Sequence, residues 1–179
     1  MEYNSIADIY SANQTIRKRF QHTVDGITPD EANAELEGEK WTVAALIEHV
    51  SIVEFNMSRI CAKLLAAAKE TGKPGDGSFS ISSEFAEKSA EIAEIKFEAP
   101  EMVHPQGGVA TGESIEKLGG STVELEAMRS DFESLNVSEH KFPHPFFGGL
   151  TAAEWLLLAG RHEARHLAQI ERLLAKIRQ

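Results

Sequence analysis

Seven histidines punctuate this chain of 179 residues: His22, His49, His104, His140, His144, His162 and His166. His162 and His166 stand four residues apart. On a helix that spacing leaves a net rotation of about 40°, so both rings project from one face and can share a metal ion. An exposed polar face carrying two unrelated histidines has the same spacing. The residues between them complete His162-Glu163-Ala164-Arg165-His166, the H-E-x-x-H pattern in which zinc proteases use the glutamate as general base. The rest of the chain does not support a peptidase. Gln169 and Arg172 stand where one protease class needs Gly and His, and too little chain follows His166 to supply a distant third ligand. No segment alternates with strand period, so the sheet of those folds is missing. A di-iron helical bundle is the second decoy, since it uses Glu-x-x-His on two helices. Glu163/His166 and Glu101/His104 are so spaced, but Pro100 and Pro105 bracket the second pair and disfavour helix there.

A metal site needs a further ligand. His49 interrupts the apolar stretch Val43 to Val53, where an unpaired imidazole is costly. It is either that ligand or a core-edge histidine bonded to a backbone carbonyl or to Glu48.

The elements that must carry these residues are helical. Ile6, Ile9, Tyr10, Ile16, Phe20 and Val24 form an amphipathic stripe, opened by Ser5 with Asp8 and closed by Gly26. Thr28-Pro29-Asp30-Glu31 starts a short helical piece. Thr42 caps the helix that carries His49, with Trp41 and Leu46 placed to staple its start; Gly72 and Pro74 end it. Ser121-Thr122-Val123-Glu124 and Thr151-Ala152-Ala153-Glu154 read as two further capping boxes. The expected core helices are therefore near 5–25, 42–70, 121–136 and 151–177. Residues 72–120, rich in Gly and Pro, form a long, partly helical excursion, with Ser83 to Ile95 as a helix within it. Phe142 to Leu150 is turn-rich. The fold class is all-α, a four-helix bundle forming a single domain over residues 1–179.

Composition narrows the partners. Eighteen Lys and Arg against 28 Asp and Glu give a net charge of −10, which repels nucleic acid and anionic membrane surfaces. No apolar run approaches the roughly 20 residues of a membrane span. The single cysteine, Cys61, sits in an apolar helical stretch and reads as a packed thiol rather than a nucleophile. One cysteine and an N-terminus without a basic-then-apolar signal lead to the expectation of a cytoplasmic protein.

Three segments together resemble the DinB/YfiT-like family of metalloenzymes. Trp41-Thr42-Val43-Ala44-Ala45-Leu46-Ile47-Glu48-His49 is similar to the family's W-S/T-x-x-x-I/L-x-x-H opening of helix 2. His144-Pro145-Phe146-Phe147-Gly148-Gly149-Leu150-Thr151-Ala152-Ala153-Glu154-Trp155 is similar to its H-P-x-F-G-x-L-S/T-x-x-E-W entry to helix 4. His162 to Ile170 is similar to its H-x-x-R-H-x-x-Q-I core. The match covers nearly the whole chain and is loosest over 72–120. The resemblance implies an up-down-down-up bundle and a metal held by His49, His162 and His166. It further implies chemistry on a low-molecular-weight thiol such as bacillithiol or mycothiol, in S-transfer or isomerisation, and a homodimer built on apolar helix faces left over from the core.

Three neutral imidazoles leave a coordination position open, the pattern of a catalytic rather than a structural metal. That position favours a deprotonated thiol, or a water whose pKa falls to about 7 on zinc. Zinc is the first expectation, with nickel or iron also compatible with imidazole ligands. Gln169 lies on nearly the same face as His162 and either fixes a ligand, binds substrate or is a buried structural amide. Glu163 is a weak catalytic candidate as base or ligand support, against the commoner solvated helix face, and Glu48 has the same standing. Arg165 reads as an ion-pair partner or an anchor for an anionic substrate group. His144 belongs to the turn before helix 4, while His104 and His140 fall in loops. Trp41 and Trp155 read as core anchors. The function expected is a metal-dependent enzyme, most readily a thiol-dependent S-transferase on a small molecule. The alternatives are a hydrolase using metal-activated water and a non-catalytic metal- or ligand-binding stress-response bundle.

Overall fold

The capping boxes at Ser5 and Thr28 form as expected. Ser5 Oγ accepts the Asp8 N–H while the Asp8 carboxylate accepts the Ser5 N–H, and this starts α1 (Ile6–Val24). Thr28 and Glu31 do the same for the short α2 (Pro29–Asn33). The computed structural model describes residues 3–93 and 99–179. Thr42 caps α3 (Val43–Thr71), which Gly72 ends in the left-handed conformation at φ 63°. The excursion contributes α4 (Ser83–Ala93) and one 3-10 turn (Glu101–Val103). Ile95, the expected end of α4, lies outside the described residues. Then come α5 (Thr111–Ala127), α6 (Arg129–Ser134), a hairpin of β1 (Lys141–His144) and β2 (Gly148–Thr151), and α7 (Ala152–Ile177). None of the described helices is long and apolar enough to cross a membrane.

Two expectations need correcting. The third core helix starts ten residues earlier than the 121–136 segment suggests, and it breaks at Met128. Gly112, Gly119 and Gly120 disfavour helix by about 1 kcal/mol each relative to Ala, but Leu118 and Leu125 bury one face of it in the core. Ser121 and Thr122 do not cap anything. Their hydroxyls donate back to the carbonyls of Lys117 and Leu118, and Glu124 takes the Ser58 hydroxyl at 2.8 Å. The second correction is the hairpin. Lys141 pairs with Thr151 and His144 with Gly148, antiparallel, across strands of four residues that are too short for a period to register. Gly148, at φ 74°, makes the turn possible.

Contacts give the helix directions. Asn13 Nδ2 donates to the Leu156 carbonyl, Arg17 pairs with Glu163 and Arg19 with Glu171, so α1 and α7 run parallel. Ser58 meets Glu124 and Lys69 meets Asp131, so α3 runs parallel to the α5–α6 segment. Cys61 meets Ala152 while His49 meets His162, so α3 and α7 run antiparallel. This is the up-down-down-up arrangement. Two parallel neighbours cannot be joined by a short loop, so the excursion exists to carry the chain back along the bundle. It is pinned on the way: Ile6 N–H donates to Gly77 O, and Asn136 N–H to Lys73 O. At Gly75 a Cβ would lie 2.2 Å from the Leu135 carbonyl oxygen, so only glycine permits that approach. Glu154, in the capping box of α7, also receives the Ser82 hydroxyl and so ties α4 to the last helix.

One polar cluster sits inside the core. Arg17 on α1 pairs with Glu54 on α3 and, at 2.9 Å, with Glu163 on α7; both carboxylates are 2% exposed. Burial raises the pKa of both carboxyls, Glu163 to about 9, because two buried acids share a single guanidinium. Removing the cation strands the pair. Arg17→Leu is therefore expected to destabilise the bundle by about 3–5 kcal/mol, read as a lower urea midpoint; an unchanged midpoint would show that the cluster does not hold α1 to α3 and α7.

Candidate metal centre

His49 lies in the second turn of α3, a place fixed by the Thr42 cap: Thr42 Oγ1 accepts the Ala45 N–H at 3.2 Å. Val43, Leu46, Ile47 and Val50 around it are buried, which turns the His49 side of the helix toward α7. On α7, His162 and His166 fall one turn apart on the face that meets α3. Their ring centroids are 4.4 Å apart, and His49 lies 5.2 Å from His162 and 4.8 Å from His166. One nitrogen from each ring falls in a group spanning no more than 4.8 Å. Bound zinc would draw such a set in to edges of about 3–3.5 Å, given Zn–N bonds near 2.0–2.1 Å.

Hydrogen bonds determine where the ring protons sit. His49 Nδ1 is 2.8 Å from the Val103 carbonyl, which can only accept, so Nδ1 carries the proton and Nε2 presents a lone pair. His166 Nδ1 meets the Gln169 side-chain oxygen in the same way, which leaves its Nε2 bare. His162 Nε2 is 3.2 Å from His49 Nε2 and, without a metal, must donate to it. The His162 Nδ1 atom is buried with no partner among the described residues. Two rings thus already hold the tautomer a metal requires, each set by a partner on its far nitrogen, as is common for metal-binding histidines. The third lies beside them, with one nitrogen of each ring inside the same 4.8 Å group. The donor set suits a divalent transition metal.

Electrostatics agree. Burial lowers the pKa of all three imidazoles, His166 to about 3, and the Arg165 charge acts in the same direction on each. The rings are therefore neutral, the state that binds metal.

The other candidates resolve individually. Gln169 is half-buried and orients His166. Glu163 is neither a base beside the histidines nor on a solvated face: it turns away to Arg17, and this removes the general base of the H-E-x-x-H reading. Glu48 is buried rather than solvated, and its carboxylate takes the N–H groups of Gln106 and Gly107 at 2.8 and 3.2 Å. Arg165 is exposed with no ion pair among the described residues. Glu101 is exposed and His104 Nε2 is tied to the Ala99 carbonyl, so the second Glu-x-x-His does not assemble. Cys61 is fully buried, and burial raises its thiol to about 12, so it is no nucleophile. Trp155 is a core anchor, but Trp41 is more than that: its ring packs against His49 at 4.8 Å, tilted by 42°, and meets His104 at 5.9 Å. The Val103 carbonyl was invisible to motif reasoning because any residue supplies one.

His144 does serve the turn. Its Nδ1 accepts the N–H groups of Phe146 and Phe147 at 3.1 and 3.3 Å, and burial lowers its pKa to about 4. The unfolded ring titrates near 6.5. Between those values the unfolded chain binds a proton that the folded chain refuses, so the stability from this group is complete above pH 6.5 and drains away as pH falls toward 4. Urea midpoints of metal-free protein at pH 7.5 and 5 should differ less in His144→Gln than in wild type; an equal difference would remove His144 from the acid response.

Comparisons with known proteins follow the same lines. The sequence model of the DinB superfamily matches residues 12–170. The uncharacterized protein YuaE of Bacillus subtilis (strain 168) is 23% identical over 161 residues, covering 85% of this chain and 88% of its own. A crystal structure described as that of a four-helix bundle protein superposes with a TM-score of 0.64 at 20% identity, over 94% of this chain and 99% of that one, a likeness of fold.

Proposed function

Because the chain belongs to the DinB superfamily, we propose that His49, His162 and His166 hold one divalent transition metal and that the protein is a metal-dependent enzyme acting on a small molecule. The observation that carries this reading is the tautomer pattern. Val103 and Gln169 fix the protons of His49 and His166 on Nδ1 and so aim two bare Nε2 atoms at the space beside His162. Zinc is the first metal to test, then nickel and iron. A bound ion supplies a Lewis-acid position at which a thiol or a water gives up its proton at neutral pH. The chain's own part is to hold three neutral imidazoles, cover His49 on one side with the Trp41 ring, and offer Arg165, exposed on α7 between His162 and His166, for an anionic group.

Thiol-dependent S-transfer or isomerisation is the reaction we infer first. Hydrolysis, or binding without catalysis in a stress response, are the outcomes that replace it. A homodimer and a cytoplasmic setting belong to the same reading; light scattering that finds a monomer at micromolar concentration removes the dimer.

Metal analysis of protein purified without an affinity tag tests the centre. We expect a stoichiometric divalent metal in wild type. His162→Ala and His166→Ala should lose most of it while keeping the helical circular-dichroism spectrum, because apolar packing holds the bundle. Wild type that stays metal-free after incubation with zinc, nickel and iron would falsify the proposal. A screen of small thiol acceptors with and without chelator tests the reaction: chelator-sensitive transfer is expected. Metal binding with chelator-insensitive or absent transfer leaves the hydrolase and non-catalytic readings.

A further inference from the structure

The excursion passes directly over His49, and Glu48 grips it there. The two oxygens of the Glu48 carboxylate take the N–H groups of two consecutive residues, Gln106 at 2.8 Å and Gly107 at 3.2 Å. Glu48 is only 5% exposed while Gln106 and Gly107 are exposed, so the carboxylate holds the strap at the edge of the core through charge-assisted bonds. Three residues upstream of this grip, the Val103 carbonyl accepts the His49 Nδ1–H at 2.8 Å. The segment between is short and stiff. The 3-10 turn at Glu101–Val103 closes with the His104 N–H on the Glu101 carbonyl, Pro105 follows, and the His104 ring meets Trp41, which itself packs against His49. Gly107 sits at φ 75°, a conformation that side chains disfavour.

We infer that Glu48 is a positioning residue for the metal centre: by holding the strap at Gln106 and Gly107 it keeps the Val103 carbonyl on His49 Nδ1, and so keeps His49 Nε2 free for the ion. The inference rests on the metal reading above. Adjacent residues of one helix thereby perform two parts of one task, His49 as ligand and Glu48 as the clamp on the segment that sets its tautomer. Without the clamp, His49 can move its proton to Nε2, and that form cannot ligate through Nε2. Such outer partners of metal-binding histidines typically change affinity by about 10–100-fold when removed.

The test has two readouts. Nitrogen-15 NMR of metal-free protein reports the His49 tautomer, and cobalt titration followed by its visible absorption reports affinity. Wild type should show the Nδ1–H form even without metal. Glu48→Ala should show a mixture of tautomers and cobalt affinity lower by about 10–100-fold. Glu48→Gln, which keeps one acceptor oxygen, should fall between. Gly107→Ala perturbs the strap without changing a residue of α3: among the described residues, its chain neighbours aside, no atom lies within 4 Å of where its Cβ would stand, so it acts through the disfavoured φ. It should shift both readouts in the same direction, and it carries the test if Glu48→Ala does not fold. Variants with the wild-type tautomer and wild-type affinity overturn the inference. If wild type binds no cobalt, the metal reading fails by itself, and the tautomer comparison still decides whether Glu48 positions His49.

Discussion

The antiparallel packing of α3 on α7 is the constraint from which the rest of the architecture follows. It sets His49 against His162 and His166, and in the same alignment sets Cys61 against Ala152. The contact is made by apolar burial on both sides of the histidines. Leu46, Ile47 and Val50 lie with Leu167 and Ile170 toward one end, and Val53, Met57 and Leu65 with Trp155 and Leu156 toward the other. Hydrophobic burial is non-directional, so by itself it permits sliding. The polar groups between these clusters fix the register, because a one-turn slip would leave buried imidazoles and carboxylates unpaired.

Helix α7 therefore has two working faces. Gly160, Glu163 and Leu156 face α1, where the absence of a side chain at Gly160 admits Asn13; a Cβ there would lie 1.9 Å from Asn13 Oδ1. His162 and His166 face α3. Neighbouring residues His162 and Glu163 thus enter different environments. This is why a local pattern of histidine, glutamate and histidine does not make a protease site here. One residue of helix rotates the side chain by about 100°, enough to move a carboxylate out of a metal site and into an ion pair.

The parallel relation of α3 and α5 has its own consequence. The chain must travel the length of the bundle between them, and its return path crosses the site. A crossover needed for topology thus supplies the Val103 carbonyl and the two N–H groups on Glu48. The cavity of about 250 Å³ lined by Tyr10, Arg17, Glu54 and Leu156 lies on the other face of α7 and takes no part in this arrangement.

Much of this was legible in the residues. The caps at Ser5, Thr28, Thr42 and Thr151 mark helix starts because a cap is a local exchange of hydrogen bonds within four residues. The i,i+4 pair His162 and His166 is legible for the same reason, since helix geometry alone brings the two rings together. The start of α5 was not, because its glycines speak for a loop and only burial of Leu118 and Leu125 against the bundle overrules them. Nor was the fate of Glu163, which depends on Arg17 from a helix distant in sequence. The role of Glu48 depends on where a glycine-rich strap comes to rest, and that of Val103 on a backbone atom every residue possesses. Periodicity and capping are written within a few residues of chain. Which buried polar groups meet is decided only when the helices pack, because each must find its partner across the bundle or forfeit its hydration.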